Sequence, residues 1–190
     1  MSDRRATVTK AVLEVALIGI GVFLGMAADQ WRSDRQHRDQ ARDALQRFRV
    51  EIQTNQAAVE KVRDLHANLR TAIAGYLDPK TRATTNLQME GFQPAVFEHT
   101  AWDLALATQA LADIDPQLAF ELARVYGLQQ TYNGHTEGLG GAMYLRPPSE
   151  DLLKFLHSVK IWLDDIVVYE PALTENYKRI LPMIDRALKD

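Results

Sequence analysis

Five histidines, His37, His66, His99, His135 and His157, are the side chains best suited to proton transfer or metal binding near neutral pH. None stands in a His-Glu-x-x-His pattern, and no Glu-x-x-His pair exists to build a carboxylate-bridged metal bundle. His66 falls on the apolar seam of a long helical pattern, where a core histidine with a hydrogen-bond partner is the expected role. The acidic pairs Asp113/Asp115 and Asp164/Asp165 offer carboxylates for acid–base work. Asp115, directly before Pro116, is better read as a helix cap, and the second pair as a solvated face. Gly138-Leu139-Gly140-Gly141 lacks the Lys-Ser/Thr of a phosphate loop and reads as a flexible connector. No Gly-x-Ser-x-Gly occurs, and the absence of cysteine removes thiolate nucleophiles, thiolate metal sites and disulfides. A protein without catalytic residues, metal or cofactor is therefore expected.

Two further sets of residues have spacing that means something. Arg35, Arg42, Arg49, Arg63 and Arg70 recur at multiples of seven, with Gln56 in the gap, and form a candidate basic stripe beside an apolar seam. Near a membrane its first members would meet anionic headgroups; otherwise the stripe pairs with acids of neighbouring helices or is solvated. Asp34, Asp39 and Asp43 dilute it. With a net charge of −3, nucleic acid is not an expected partner. Trp102, Tyr126, Tyr132 and Trp162 are the aromatics from which a small-ligand pocket could be built.

These side chains must be carried by helices. Residues Ala11 to Ala28 are apolar except for Glu14, follow a basic tail (1–10) with Arg4, Arg5 and Lys10, and lead to Trp31. A helix crossing the hydrocarbon needs about 20 residues, which Val12 to Trp31 supplies, with Glu14 at one surface and Trp31 at the other. Glu14 lies four residues after Lys10 and can pair with it in the headgroup layer; a proton-path role is the alternative. Gly21 and Gly25 form a GxxxG, the spacing that permits weak self-association of spans. A cleaved signal peptide competes with the anchor, since Met26-Ala27-Ala28 offers small residues. Against it stand Glu14 and the lack of any turn residue before the next helical pattern. Five arginines after the span against three basic residues before it lean toward a cytoplasmic bundle, although long domains cross membranes with little regard for charge.

The run Leu13 to Trp31 (LEVALIGIGVFLGMAADQW) resembles the opening of an uncharacterised family of small single-span bacterial membrane proteins. There an acidic residue precedes a glycine-containing span, and Asp-x-Trp closes it before an Arg-rich helix. The stretch Trp102 to Tyr132 resembles that family's second recognisable segment. Together they cover roughly a quarter of the chain. The resemblance implies anchoring in a bacterial inner membrane and, since the family has no assigned activity, no chemistry.

From Ala41 a 4-3 spacing runs through Leu45, Phe48, Ile52, Asn55, Val59, Val62, His66, Leu69 and Ile73 to Tyr76, predicting one long amphipathic helix. Gly75 and Asp78-Pro79 should stop it. Residues 80–99 read as a strap pinned by Phe92, Val96 and Phe97. Thr100 is expected to cap a helix to Ile114, and Asp115-Pro116 to start another that dissolves at Asn133-Gly134 and Gly138–Gly141. Pro147-Pro148-Ser149 should begin a fifth helix, and Pro171 should open or kink a sixth, bent at Pro182. The flanking row Ala44, Glu51, Ala58, Leu65, Ala72 widens the seam beyond a two-stranded coiled coil, so residues 38–190 are expected to form a monomeric bundle.

The fold expected is all-α: a transmembrane anchor at 11–31, then a helical bundle over 32–190. The function expected is a membrane-anchored interaction or scaffold protein, with lipid and another protein as partners. A small-ligand-binding or sensory bundle is the alternative, as is a soluble exported protein if the N-terminus is cleaved.

Overall fold

The computed structural model describes residues 2–88, 93–144 and 151–189, with side chains described for 17–88, 93–141 and 151–189. It is all-helical, with no strand among the described residues. The described residues form four helices: α1 (Ser2–Leu77), α2 (Thr100–Ala107), α3 (Pro116–Tyr144) and α4 (Leu152–Ala187). Two short 3-10 turns lie between them, at Arg82–Thr84 and Ala110–Asp113.

The long seam forms as its spacing dictates. Every residue of the 4-3 row from Ala41 to Ile73 is buried, and Ala44 and Glu51 of the flanking row are buried with it. A face three rows wide needs more than one neighbour. It receives α4, which runs antiparallel: Arg49 meets Asp185, His66 meets Glu170, and Arg70 meets Asp164. Helix α3 lies antiparallel to α4 in turn, through Glu121–Arg179, Gln129–Tyr177 and Tyr132–Glu170. Helix α1 ends at Leu77, ahead of Pro79, where side chains take up its last carbonyls. Thr81 Oγ1 donates to Gly75 O (2.7 Å), and Arg82 Nε donates to Tyr76 O (2.9 Å).

Of the strap, residues 93–99 pack against α1 and α3. Asn55 Nδ2 donates to the Glu98 carbonyl (2.7 Å), and its Oδ1 accepts from the Glu98 N–H (2.8 Å). The amide thus satisfies an extended backbone as a neighbouring strand would. Ala95 and Phe97 point inward. Val96, expected to pin the strap, is 77% exposed, because alternation in an extended chain turns it outward. Phe92 lies outside the described residues.

Several expectations need correction. The helix predicted over Thr100–Ile114 is broken at Gln109, whose φ of 59° is left-handed, and resumes as a 3-10 turn. Thr100 is the first helical residue, and His99 occupies the cap position without a side-chain bond. Glu51 of α1 does the capping instead, its Oε2 accepting from Ala101 N at 2.8 Å. Ala101 and Ala105 form the inner face of α2, leaving Leu104 and Leu106 exposed.

Helix α3 starts as expected, with Asp115 Oδ1 accepting from Gln117 N and Leu118 N, both at 3.0 Å. It does not dissolve at its glycines and continues to Tyr144. Each glycine costs about 1 kcal/mol relative to alanine. Packing of Tyr132 and Leu139, and the Trp162 Nε1 bond to the His135 carbonyl (3.0 Å), offset this.

Pro147 to Ser149 lie outside the described residues; α4 begins at Leu152, capped by Asp151 accepting from Leu153 N at 2.9 Å. The fifth and sixth helices are one, since Pro171 and Pro182 sit inside α4. A proline inside a helix costs about 3 kcal/mol. The unbroken buried row Leu163, Ile166, Leu173, Tyr177, Ile180, Ile184 against α1 and α3 outweighs it.

Beyond the bundle α1 projects. Among the described residues no helix is long and apolar enough to cross a membrane. The predicted span opens at Ala11, and the side chains of residues 2–16, Glu14 included, lie outside the described ones. From Leu17 the apolar run to Ala28 measures only about 18 Å at 1.5 Å per residue.

Candidate functional site

The groups with the richest proton chemistry meet in the bundle core. His66 Nδ1 lies 2.6 Å from Glu170 Oε1, and the Tyr132 hydroxyl donates to the same oxygen at 3.2 Å. That hydroxyl also accepts from Ala95 N at 3.1 Å, so one cluster ties α1, α3, α4 and the strap together. Trp162 stands edge-on to His66, with ring centroids 5.8 Å apart. A histidine, a carboxylate and a phenol in a row are the parts of a proton relay, but access decides their use. His66 is 1% exposed and Glu170 0%, so no substrate reaches them and the cluster acts as a lock. Burial is the first cause that holds the Tyr132 hydroxyl above its usual range; the Ala95 N–H opposes it and Glu170 adds to it.

A second buried carboxylate, Glu51, has both oxygens engaged. Oε2 caps α2 through Ala101 N, and Oε1 accepts from the Tyr126 hydroxyl at 2.6 Å. Burial, then this bond to Glu51, keeps Tyr126 firmly protonated. The Tyr126 ring stacks on Trp102 with centroids 5.0 Å apart and planes 22° from parallel, and Phe48 leans on both.

This aromatic pair forms one wall of a cleft of about 350 Å³ between α2, α3 and the strap. Gln129, Gln130, Asn133, Phe97, His99 and Asp103 are among the other residues that line it. The structure therefore brings together two of the four aromatics considered for a pocket, Trp102 and Tyr126. Tyr132 belongs to the Glu170 cluster, and Trp162 stands beside His66 and His135, away from the cleft.

Two of the five arginines of the basic stripe pair with α4. Arg49 pairs with Asp185 (2.8 Å) and Arg70 with Asp164 (2.6 Å), while Arg63 lies 3.5 Å from its neighbour Asp64. Hydrogen bonds from Lys160 and then Arg70 hold the Asp164 carboxyl below the usual carboxylate range. Arg35 stacks over Trp31, 5.9 Å from the ring centroid. With Arg38 and Arg42 it lines a groove of about 550 Å³ whose far wall is Asp113, Ile114 and Ala187. The anchor residues Gly21 and Gly25 meet no neighbour within 4 Å of a built Cβ, and Trp31 is exposed. Among the described residues no group of three or more His, Asp or Glu side chains is placed to hold a metal ion.

Sequence reasoning passed over Glu170 and Gln129 and gave Glu51 no role. The signal was present: Glu51 sits in a row otherwise of alanine and leucine, and Glu170 occupies a 4-3 position between Ile166 and Leu173. A charge in an apolar row announces a buried, paired carboxylate. No protein-family model, curated protein or solved structure matches this chain.

Proposed function

We propose that this chain is a single-pass membrane protein whose N-terminal helix holds a helical interaction bundle at a bacterial inner membrane. The observation that carries this reading is the exposed stretch of α1 ahead of the bundle. Leu17, Ile18, Ile20, Val22, Phe23, Leu24 and Met26 are each between 56% and 70% exposed. At 100° per residue they point to every side of the helix. A helix meant for a groove on another protein keeps a polar face; this one has none, which suits lipid. Leaving seven large apolar side chains in water forgoes on the order of 10 kcal/mol of transfer energy. The accessible surface of 12894 Å² also exceeds the roughly 9,200 Å² of a compact monomer of this mass.

The resemblance of Leu13–Trp31 to single-span bacterial proteins supports the same reading. So does the passage of α1 without interruption from the apolar stretch into the bundle, which leaves no accessible turn for a signal peptidase. Helix self-association through Gly21 and Gly25 and contact of Arg35 and Arg38 with anionic headgroups accompany the anchor. The bundle is read as a docking module rather than an enzyme because its proton-active groups, His66 and Glu170, are sealed from solvent.

Carbonate-washed membranes from a bacterial host should retain the full-length chain, beginning at or near Met1. A mature N-terminus at Ala28 or Asp29, with the protein in the soluble fraction, would refute the anchor. A second reading, a small-ligand bundle, is favoured by one specific observation: Trp102 and Tyr126 wall a cleft of about 350 Å³ between α2, α3 and the strap.

A further inference from the structure

We propose that the groove beside Trp31 binds a phospholipid headgroup that carries both a phosphate and a primary ammonium, as in phosphatidylethanolamine. This inference rests on the anchored reading above and narrows its headgroup contact to one chemistry.

Three guanidinium groups, Arg35, Arg38 and Arg42, line the groove from α1. Farther along the same helix Arg49 and Arg70 are taken by Asp185 and Asp164. Among the described residues Arg35 has only the Trp31 ring for a partner, and Arg38 and Arg42 have no ion pair or hydrogen bond. Spacings of three and four residues set the three in one rail, and helix side chains lean toward their own N-terminus, here the proposed membrane side. Guanidinium forks match phosphate oxygens. The opposite wall carries the other sign. Asp113 and Asp115 line it. Asp113 meets His37 through Oδ2 at 3.0 Å, and Asp115 caps α3 through Oδ1, so each keeps a second oxygen without a partner among the described residues. With Asp39 counted, the lining holds three aspartates against three arginines. A groove without net charge gives a net anion no advantage, whereas two signs on separate walls select a ligand that carries both. Phosphatidylethanolamine offers a phosphate to the arginines and N–H donors to Asp113 and Asp115. Phosphatidylcholine has the same charges without the donors, and phosphatidylglycerol lacks the cation. The level fits as well: Arg35 and Arg38 lie about 6 Å and 10 Å beyond Trp31 along the axis, and a headgroup layer is about 5–8 Å deep. A volume of about 550 Å³ admits a headgroup.

The test uses the full chain in phosphatidylcholine nanodiscs that contain about a tenth of an acyl-brominated lipid with an ethanolamine, choline or glycerol headgroup. Trp31, exposed and in the lining of the groove, is the reporter, because bromine quenches on contact and Trp102 and Trp162 stand within the bundle. Co-elution of the chain with the discs reads the anchor independently of the headgroup. Quenching by the ethanolamine lipid should exceed that by the other two by at least about twofold. Arg38→Gln, at an exposed position, should remove that lead. Asp115→Asn keeps the helix cap, since asparagine caps as well as aspartate, and removes a charge from the far wall. It should put the glycerol lipid first. The proposal is overturned by equal quenching from the three lipids, or by the glycerol or choline lipid leading in the unchanged chain. An ethanolamine preference that survives Arg38→Gln or Asp115→Asn overturns it too. Loss of the preference to soluble glycerophosphoethanolamine at about 1 mM would assign the groove to a free metabolite and overturn the lipid. A chain that elutes apart from the discs refutes anchor and headgroup together, whereas one that enters them without a preference refutes the headgroup alone.

Discussion

Replacing His66 by alanine leaves the Glu170 carboxylate fully buried, with the Tyr132 hydroxyl at 3.2 Å as its remaining hydrogen bond among the described residues. Removing one partner of a fully buried hydrogen-bonded pair that includes a carboxyl group costs about 3–5 kcal/mol, because the other partner keeps its desolvation penalty without its compensation. Against a total of about 5–15 kcal/mol for a domain, that is a large fraction. With a urea slope near 2 kcal/mol/M, the midpoint should fall by about 2 M. Glu170→Ala should cost a similar amount. The double replacement His66→Leu/Glu170→Met should recover most of the loss, since no uncompensated charge remains and the Tyr132 hydroxyl still accepts from Ala95 N. Urea denaturation followed by circular dichroism on the four proteins of this cycle gives the coupling energy directly. Single losses below about 1 kcal/mol, adding without coupling, would show that the pair is reachable by water and no lock. The account of the core cluster would then be wrong.

Gly138 sits in the interior of α3 with nothing within 4 Å of a built Cβ, so Gly138→Ala should stabilise by about 0.5–1 kcal/mol. That is roughly 1–4 °C in a thermal melt, and a lower melting temperature would mean that α3 is not helical there. Tyr126, Tyr132 and Tyr177 are all held above the usual tyrosine range, chiefly by burial. Unfolded tyrosines ionise near about pH 10, so above that pH only the unfolded chain loses these protons and stability falls as pH rises. Their tyrosinate absorbance should appear in the same step as the loss of helical circular dichroism, and ionisation in a still-folded protein would contradict their burial. Residues 38–190 should sediment as a monomer at tens of micromolar, because α3, α4 and the strap already cover the wide face of α1; a clean dimer mass would overturn this.

Much of this was legible where one force dominated. The row from Ala41 to Ile73 is buried throughout because a regular 4-3 spacing leaves a helix no other way to hide its apolar face. Asp115-Pro116 started α3 as written, since a cap and a preset φ act locally. Reading failed where local preference lost to packing. Glycines at 134, 138, 140 and 141 and prolines at 171 and 182 each argue for a break. Rows such as Val159, Leu163, Ile166, Leu173, Tyr177 recover more by continuing than the breaks would save. Pro171 also hid Glu170, by dividing one row into two helices at the residue beside it. In the cleft, Trp102 and Tyr126 were identifiable as aromatics. Gln129 was not, because an unsatisfied amide oxygen is a property of three-dimensional neighbours and has no sequence signature.

The position of each site along α1 separates the chemistries available to them. One continuous helix joins the apolar stretch ending at Ala28 to the first seam residue, Ala41, and the His37–Asp113 contact at 3.0 Å braces the segment between. If the chain is anchored as proposed, a helix without a break cannot turn in the bilayer independently of its bundle, and the span would set which bundle face looks where. Arg35 lies about 10 Å beyond Ala28 along the axis, within reach of headgroups, and its groove toward Ala187 opens at that level. Phe48, which supports Trp102 in the wall of the cleft, lies about 30 Å beyond Ala28 and so about two Debye lengths past Arg35. In an anchored chain a lipid headgroup would therefore reach the arginines and not the cleft beside Trp102. The groove and the cleft would then be addressed from different phases, so with Trp31→Phe as background the emission of Trp102 should be the same in neutral and anionic nanodiscs. A strong dependence on lipid charge would place the cleft at the membrane surface and contradict the extended course of α1.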